Sequence, residues 1–180
     1  MPKAKSQLLK TIISLIVAIV VMFIIRASVV TVFCVEGDAL QPVFIAGDRV
    51  MVNRWSYGLR IGGNRFLGYN RLWRQSVERG DIVAVNDPTD TLQQSVDDRR
   101  VLLLRCKAVP GDSIKKDNGM QHIPGRYSCA DMDYYLMGDK EEILVPEDHI
   151  IGRAFIIIYS HDPSQALWDG WRTDRFFLYP

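Results

Sequence analysis

Gly47-Asp48-Arg49-Val50-Met51-Val52-Asn53 reads as a tight turn followed by a half-buried strand, polar and apolar residues alternating from Arg49 to Asn53. A period of two sends successive side chains to opposite faces of a sheet. Glycine supplies backbone angles that other residues avoid, and aspartate hydrogen-bonds the turn it sits in. The same Gly-Asp pair recurs at 80–81, 111–112 and 138–139 and punctuates strand-like apolar runs. Those runs are Asp81 to Val85, Val101 to Val109, Tyr134 to Met137 and Ile150 to Tyr159. Ser113-Ile114-Lys115-Lys116 leads into Asn118-Gly119, a strong hairpin signal. No ten-residue amphipathic helix stands out among them, so this part of the chain is expected to be mainly β.

Upstream the composition changes. Thr11 to Ile25 holds no charged residue, and Leu8 and Leu9 extend the apolar run past Lys10. A bilayer core of ~30 Å takes roughly 20 residues of helix. Leu8 to about Val29 meets that length if Lys10 and Arg26 snorkel to opposite interfaces. A cleaved secretory signal would have a shorter apolar region and a small-x-small site after it; here Arg26 follows and no Ala-x-Ala occurs. A buried core helix would show polarity on one side. The expected organisation is a cytoplasmic N-terminus over 1–7, a transmembrane anchor over 8–30 and a β domain over 31–180. Lys3, Lys5, Lys10 and the terminal amine precede the helix and Arg26 follows it, which places the β domain outside the cytoplasm.

The 180 residues carry a net charge of +1, which gives no reason to invoke nucleic acid. With the anchor set aside, roughly 145 residues remain, enough to bury a core without metals or several disulfides. Cys34, Cys106 and Cys129 fit no zinc spacing. A Cys106–Cys129 disulfide and buried free thiols are both open. His122, His149 and His161 are scattered and read as solvated loop residues; no metal or cofactor is expected. Asp97-Asp98-Arg99-Arg100 and Asp87-Pro88-Thr89-Asp90 read as turns. Trp55 to Val77 differs from the rest: Arg60, Arg65, Arg71 and Arg74 lie among Trp55, Tyr57, Phe66, Tyr69 and Trp73. Aromatics with arginine suit a surface on lipid headgroups or a partner-binding loop.

Taken in order, these segments resemble the type I signal peptidases, membrane serine proteases that remove signal peptides from exported proteins. The family's Gly-x-Ser-Met-x-Pro corresponds to Gly37-Asp38-Ala39-Leu40-Gln41-Pro42, and its Gly-Asp-x-Val-x-Val-Asn to Gly47 through Asn53 with Asp48. Ser56-Tyr57-Gly58 and Arg79-Gly80-Asp81-Ile82-Val83 follow the pattern. So do Arg105 with Pro110-Gly111-Asp112, then Met137-Gly138-Asp139 and Val145-Pro146-Glu147. Ile151-Gly152-Arg153-Ala154 and Trp171-Arg172-Thr173-Asp174-Arg175 complete it. The resemblance implies a signal-peptidase-like β fold on one membrane helix in the bacterial cytoplasmic membrane.

It also implies a serine nucleophile at position 39 and a lysine base at position 104, where this chain has Ala39 and Leu104. A serine hydroxyl attacks only when a base takes its proton, and a lysine serves near neutral pH only when burial depresses its pKa. Lys107, at an odd offset from Leu104, points to the other face of a strand. Cys106 shares the face but needs an activating base, and Asp38 points elsewhere if its segment is extended. The family's Ser-x-Asp-Ser-Arg support for the lysine is shortened here to Lys140-Glu141-Glu142-Ile143-Leu144. Nucleophile, base and support are therefore missing together, and the expected role is non-catalytic: binding a preprotein's signal peptide, an active signal peptidase paralogue or an envelope partner. The competing expectation is an active signal peptidase whose Ser and Lys have been replaced at 39 and 104.

Overall fold

The computed structural model describes the chain except residues 1, 37–39, 63–68, 91, 93–94, 97–98, 117–118, 140, 167 and 180, and the side chains at 2–6, 8–9, 24–28 and 116. One helix, α1, runs Pro2–Val29 and passes directly into β1, Val30–Cys34. Then come β2 (Asp48–Asn53), β3 (Leu59–Ile61), β4 (Asn70–Leu72), β5 (Ile82–Asn86) and β6 (Val101–Ala108). They are followed by β7 (Ser113–Lys116), β8 (Gly119–His122), β9 (Tyr134–Met137), β10 (Ile143–Pro146) and β11 (Ile150–Ser160). Seven strands form one sheet in the order β1-β2-β11-β5-β6-β9-β10; β3-β4 and β7-β8 are separate two-stranded hairpins. The mainly β expectation holds.

The sheet is covered on both sides. Val83 and Val85 of β5 pack with Leu104, Cys106, Tyr135, Met137, Val145 and Ile150. Ile82 and Ala84, one residue out of phase, pack with Val50, Val52, Phe44, Ala154 and Ile157. This is why 82–86 reads as an unbroken apolar run: every residue of β5 is buried. In β2, Val50 and Val52 are buried while Arg49 is exposed, as the alternation requires.

Three Gly-Asp pairs build one device. Asp48, Asp81 and Asp112 each follow a left-handed glycine, with φ of +95°, +91° and +91°. Each carboxylate accepts the backbone N–H three residues back: Ile45 at 3.0 Å, Glu78 at 3.2 Å and Val109 at 3.0 Å. Each is also held by a distant arginine, Arg175, Arg153 and Arg79 respectively. Gly138-Asp139 departs from this: Gly138 donates to the Arg105 carbonyl and Asp139 faces the Arg105 side chain at 3.3 Å.

Several expectations change. The apolar stretch after Arg26 is divided, helix to Val29 and then an edge strand whose Val30 pairs with Asn53. The 113–122 hairpin forms, but Lys116 pairs with Gly119, so Gly119 belongs to the strand rather than to the turn. β10 had no sequence signal, being four residues between acidic segments. Among the described residues no helix is long and apolar enough to cross a membrane; the described side chains of α1 are Gln7, Lys10 to Phe23 and Val29. His149 is not solvated: it is 7% exposed, with Nδ1 2.8 Å from Asp148 and Nε2 2.9 Å from Arg99. The three cysteines are free thiols.

Candidate active-site groove

The segment from Phe33 to Glu36, then Leu40, forms one wall of a cavity of about 90 Å³. Arg100, Val101, Leu102, Leu103 and Leu104 form the other. Residues 37–39, with Gly37 and the Ala39 position, lie outside the described residues, but both flanks, Glu36 and Leu40, line this cavity together with Leu104. The fold thus brings the surroundings of position 39 and position 104 to one place. On the side away from β5, β9 pairs with β6 only at Cys106 and Ala108. Among the described residues the edge of Val101–Leu104 therefore has no strand partner on that side.

Leu104 is 7% exposed and packs in the cluster with Tyr57, Val77, Val83, Val85 and Cys106. The titratable groups of that cluster are not bases at neutral pH. Burial first, then the hydrogen bond to Asp81 at 2.9 Å, pushes the Tyr57 hydroxyl far up. Burial, then Glu147 and Asp133, pushes Tyr135 up to about 12. Burial, then Asp81 and Asp112, pushes the Cys106 thiol up to about 12. A thiol at about 12 is protonated at neutral pH and a poor nucleophile. Iodoacetamide at neutral pH is accordingly expected to alkylate Cys34 and Cys129, both exposed, and to spare Cys106 until denaturant is added. Peptide mass analysis reads this directly, and early labelling of Cys106 would mean that the β6 face opens in solution.

Lys107 points the other way, as its odd offset predicts: it is exposed, with Nζ 3.1 Å from Glu142 and 3.3 Å from the Asp139 carbonyl. Beyond Gly138 the chain turns back at once into β10, and a Cβ at Gly138 would fall onto the Glu141 carbonyl. Asp139 and Glu142 face Arg105 and Lys107 on the exposed face, not Leu104.

The motif residues downstream of position 39 hold the groove wall rather than enter it. Leu40 is buried and its carbonyl accepts from Phe44; Pro42 is exposed and follows a cis peptide bond. A Cβ at Gly47 would fall onto the His161 carbonyl. Asp48 is fully buried. Burial alone would raise its pKa, but hydrogen bonds from Arg175, the Ile45 amide and Ser160 hold it below the usual carboxylate range. Arg175 Nη2 also donates to the Val43 carbonyl at 2.8 Å, and Arg172 Nη1 to the Ala46 carbonyl at 3.0 Å. The closing Trp-Arg-x-x-Arg segment is therefore a strap across 43–48, the turn that returns the chain from position 39. Pro110-Gly111-Asp112 closes the turn after β6, with Asp112 held below the usual range by Arg79 and the Val109 amide. Sequence reading placed Arg172 and Arg175 in a motif but missed the strap, because the partners lie over 120 residues away.

The insertion is only partly a surface. Tyr57, Arg71 and Val77 are buried, and Arg71 donates to the carbonyls of Ile150 (2.6 Å) and Tyr57 (3.4 Å). Arg74 pairs with Glu147 at 2.7 Å, and Arg126 reaches the same carboxylate at 3.0 Å.

Comparison with known proteins agrees with this geometry. The family model described as signal peptidase, peptidase S26, matches residues 8–143. Signal peptidase IB of Staphylococcus aureus (strain Mu50 / ATCC 700699) is 27% identical over 169 residues, covering 83% of this chain and 88% of that protein. Its counterpart in strain N315 gives the same figures. Signal peptidase I of Buchnera aphidicola subsp. Baizongia pistaciae (strain Bp) is 27% identical over 108 residues, 60% of this chain and 32% of that protein. With the match spanning most of the chain, the protein belongs to the signal peptidase, peptidase S26, family.

Proposed function

We propose that this chain is a non-catalytic, membrane-anchored member of the family that holds an extended preprotein segment without cutting it. The observation that carries the reading is Leu104, an isobutyl group in the groove wall whose neighbours in the buried cluster include, among the described residues, no group basic at neutral pH. The open edge of Val101–Leu104 supports the binding half, since an extended peptide can add to a sheet edge through main-chain hydrogen bonds. With alanine at 39 the chain has no hydroxyl to attack the bound carbonyl, and with leucine at 104 no amine to take a proton.

The membrane half of the reading rests on α1. Ile12, Ile13, Leu15, Ile16, Val17, Ile19, Val20, Val21, Met22 and Phe23 are exposed all around it, from 43% to 63%. A helix apolar on every side has no favourable place in water. We place it in the bacterial cytoplasmic membrane, with the lysine-rich N-terminus cytoplasmic and the β domain outside.

The test is incubation of the purified full-length chain with a signal-peptide-bearing preprotein, with a photo-crosslinking residue introduced at Leu102. The expected result is a crosslinked adduct and no cleaved product. Cleavage would return the protein to the active serine peptidases, and the absence of both adduct and product would remove the groove as its working site.

A further inference from the structure

The buried ring of His149 is engaged at both nitrogens, with Asp148 at 2.8 Å through Nδ1 and with Arg99 at 2.9 Å through Nε2. We propose that this contact is a proton-operated latch on the groove: the neutral ring holds the start of β6 in place, and the charged ring lets go of Arg99 so that the groove releases its peptide. The release half rests on the peptide-holding role proposed above; the latch itself does not.

The chemistry of the partners fixes the tautomer. A guanidinium only donates, so Arg99 Nη1 requires a lone pair on Nε2, which leaves the ring proton on Nδ1, facing the Asp148 carboxylate. A second proton has only Nε2 to go to. There it would aim an N–H at the N–H of Arg99 and set two cations together in a site that is 7% exposed. Charging the ring and keeping the Arg99 bond therefore exclude each other. Among the described residues the ring is the acceptor of this guanidinium, and Arg99 Nε has none.

Charges on the neighbouring elements set the balance. Asp148, on the same 3-10 turn (Glu147–His149), favours the charged ring. Arg99, from the approach to β6, opposes it, as does Arg60 of β3, which acts on Asp148. The Glu147 carboxylate is taken by Arg74 and Arg126, and Arg71 of β4 donates to the Ile150 carbonyl. Burial by itself would raise the Asp148 pKa, but the His149 bond and then Arg60 hold it below the usual carboxylate range, so it stays an acceptor in mild acid. Histidine is the side chain that ordinarily changes charge between pH 5 and 8.

The latch meets the groove one residue on. Arg99 is followed by Arg100 and Val101, which line the cavity with Leu104. Arg100 has an anchor of its own: its carbonyl accepts from the Asp87 amide at 2.8 Å, and its guanidinium meets the Asp87 carboxylate at 2.9 Å. Burial would raise the Asp87 pKa, but Thr89 and Arg100 hold it below the usual range, so this anchor survives where histidine titrates. Between pH 8 and pH 5 the wall thus passes from two anchors to one, and the edge at Val101–Leu104 loosens at its Val101 end.

The experiment is hydrogen exchange with mass analysis on the full-length chain in detergent at pH 8 and pH 5, read as protection factors corrected for the intrinsic rate at each pH. Protection of the amides at 99–102 is expected to fall about tenfold in acid, while β2 and β11 keep theirs. His149→Gln keeps an acceptor for Arg99 and cannot titrate, so it is expected to hold the high protection at both pH values. Arg99→Met, which cannot be latched, is expected to show the low protection already at pH 8. Unchanged protection in the parent chain would overturn the inference, and so would an equal fall in the parent and in His149→Gln. Crosslinking from Leu102 to the preprotein at the same two pH values reads the release. The adduct is expected to drop severalfold at pH 5 in the parent chain but not in His149→Gln; an adduct indifferent to pH while protection falls would overturn the coupling to the groove. No adduct at either pH, with the fall in protection intact, would overturn the peptide-holding role and leave the latch standing.

Discussion

Replacing Leu104 by Lys is expected to cost the fold about 4–5 kcal/mol at neutral pH, the largest effect of any single change in the groove. The site is 7% exposed and apolar. Burial lowers a lysine pKa by up to about 3–5 units, and each unit is worth about 1.4 kcal/mol. The sign follows from linkage: a folded-state pKa depressed below the unfolded value of about 10.4 leaves no penalty at high pH. The penalty grows as pH falls through 10.4 and levels off below the folded pKa. Urea unfolding of Leu104→Lys and of the parent chain across that range reads it directly. A small, pH-independent cost would mean that the amine snorkels out through the cavity beside it, and that position 104 no longer encloses a base. The curve also bears on chemistry, because a lysine whose pKa falls toward neutrality can take a proton from a serine hydroxyl. Leucine removes that capacity and relieves the fold of a buried amine.

The second large effect is expected at the strap. Arg175→Met leaves Asp48, fully buried, without its bidentate partner at 2.7 and 3.2 Å. Breaking a buried pair by removing one member costs about 3–5 kcal/mol, because a charge stays behind without compensation. In the parent chain the Asp48 pKa is lowered, so its contribution to stability is present above the unfolded carboxylate value, about 3.9, and is lost as pH falls through the folded value. In the variant burial dominates and the folded pKa rises above the unfolded one. Its destabilisation should therefore be greatest at neutral pH and shrink toward pH 4. Thermal unfolding of both proteins at a series of pH values checks this. A uniform loss at all pH values would show that Arg175 acts through its packing and its bond to Val43, not through the carboxylate.

How much was legible beforehand depends on the range of each interaction. Asp48, Asp81 and Asp112 were readable as turn residues because the decisive bond spans three residues. The opposite faces of Leu104 and Lys107 were readable because strand geometry has a period of two. The burial of His149 was not, since its partner Arg99 is 50 residues away. Nor was the division of the insertion into buried Tyr57, Arg71 and Val77 and exposed Trp55 and Trp73. All five sit in one aromatic, basic stretch of similar composition.

By itself the sequence determined the mainly β class, the apolar N-terminal helix, the family resemblance and the absence of serine at 39 and lysine at 104. These follow from residue identity, from the length of the uncharged apolar run and from the period of two that strand geometry enforces. Only the tertiary structure decided which distant groups meet: the strap from Arg172 and Arg175 onto 43–48, the cavity shared by Leu40 and Leu104, and the end of α1 set against the turn at Trp55. Those contacts depend on the order of strands in the sheet, β1-β2-β11-β5-β6-β9-β10. That order is fixed by burying two apolar faces at once, a property of the folded whole that no local window of residues contains.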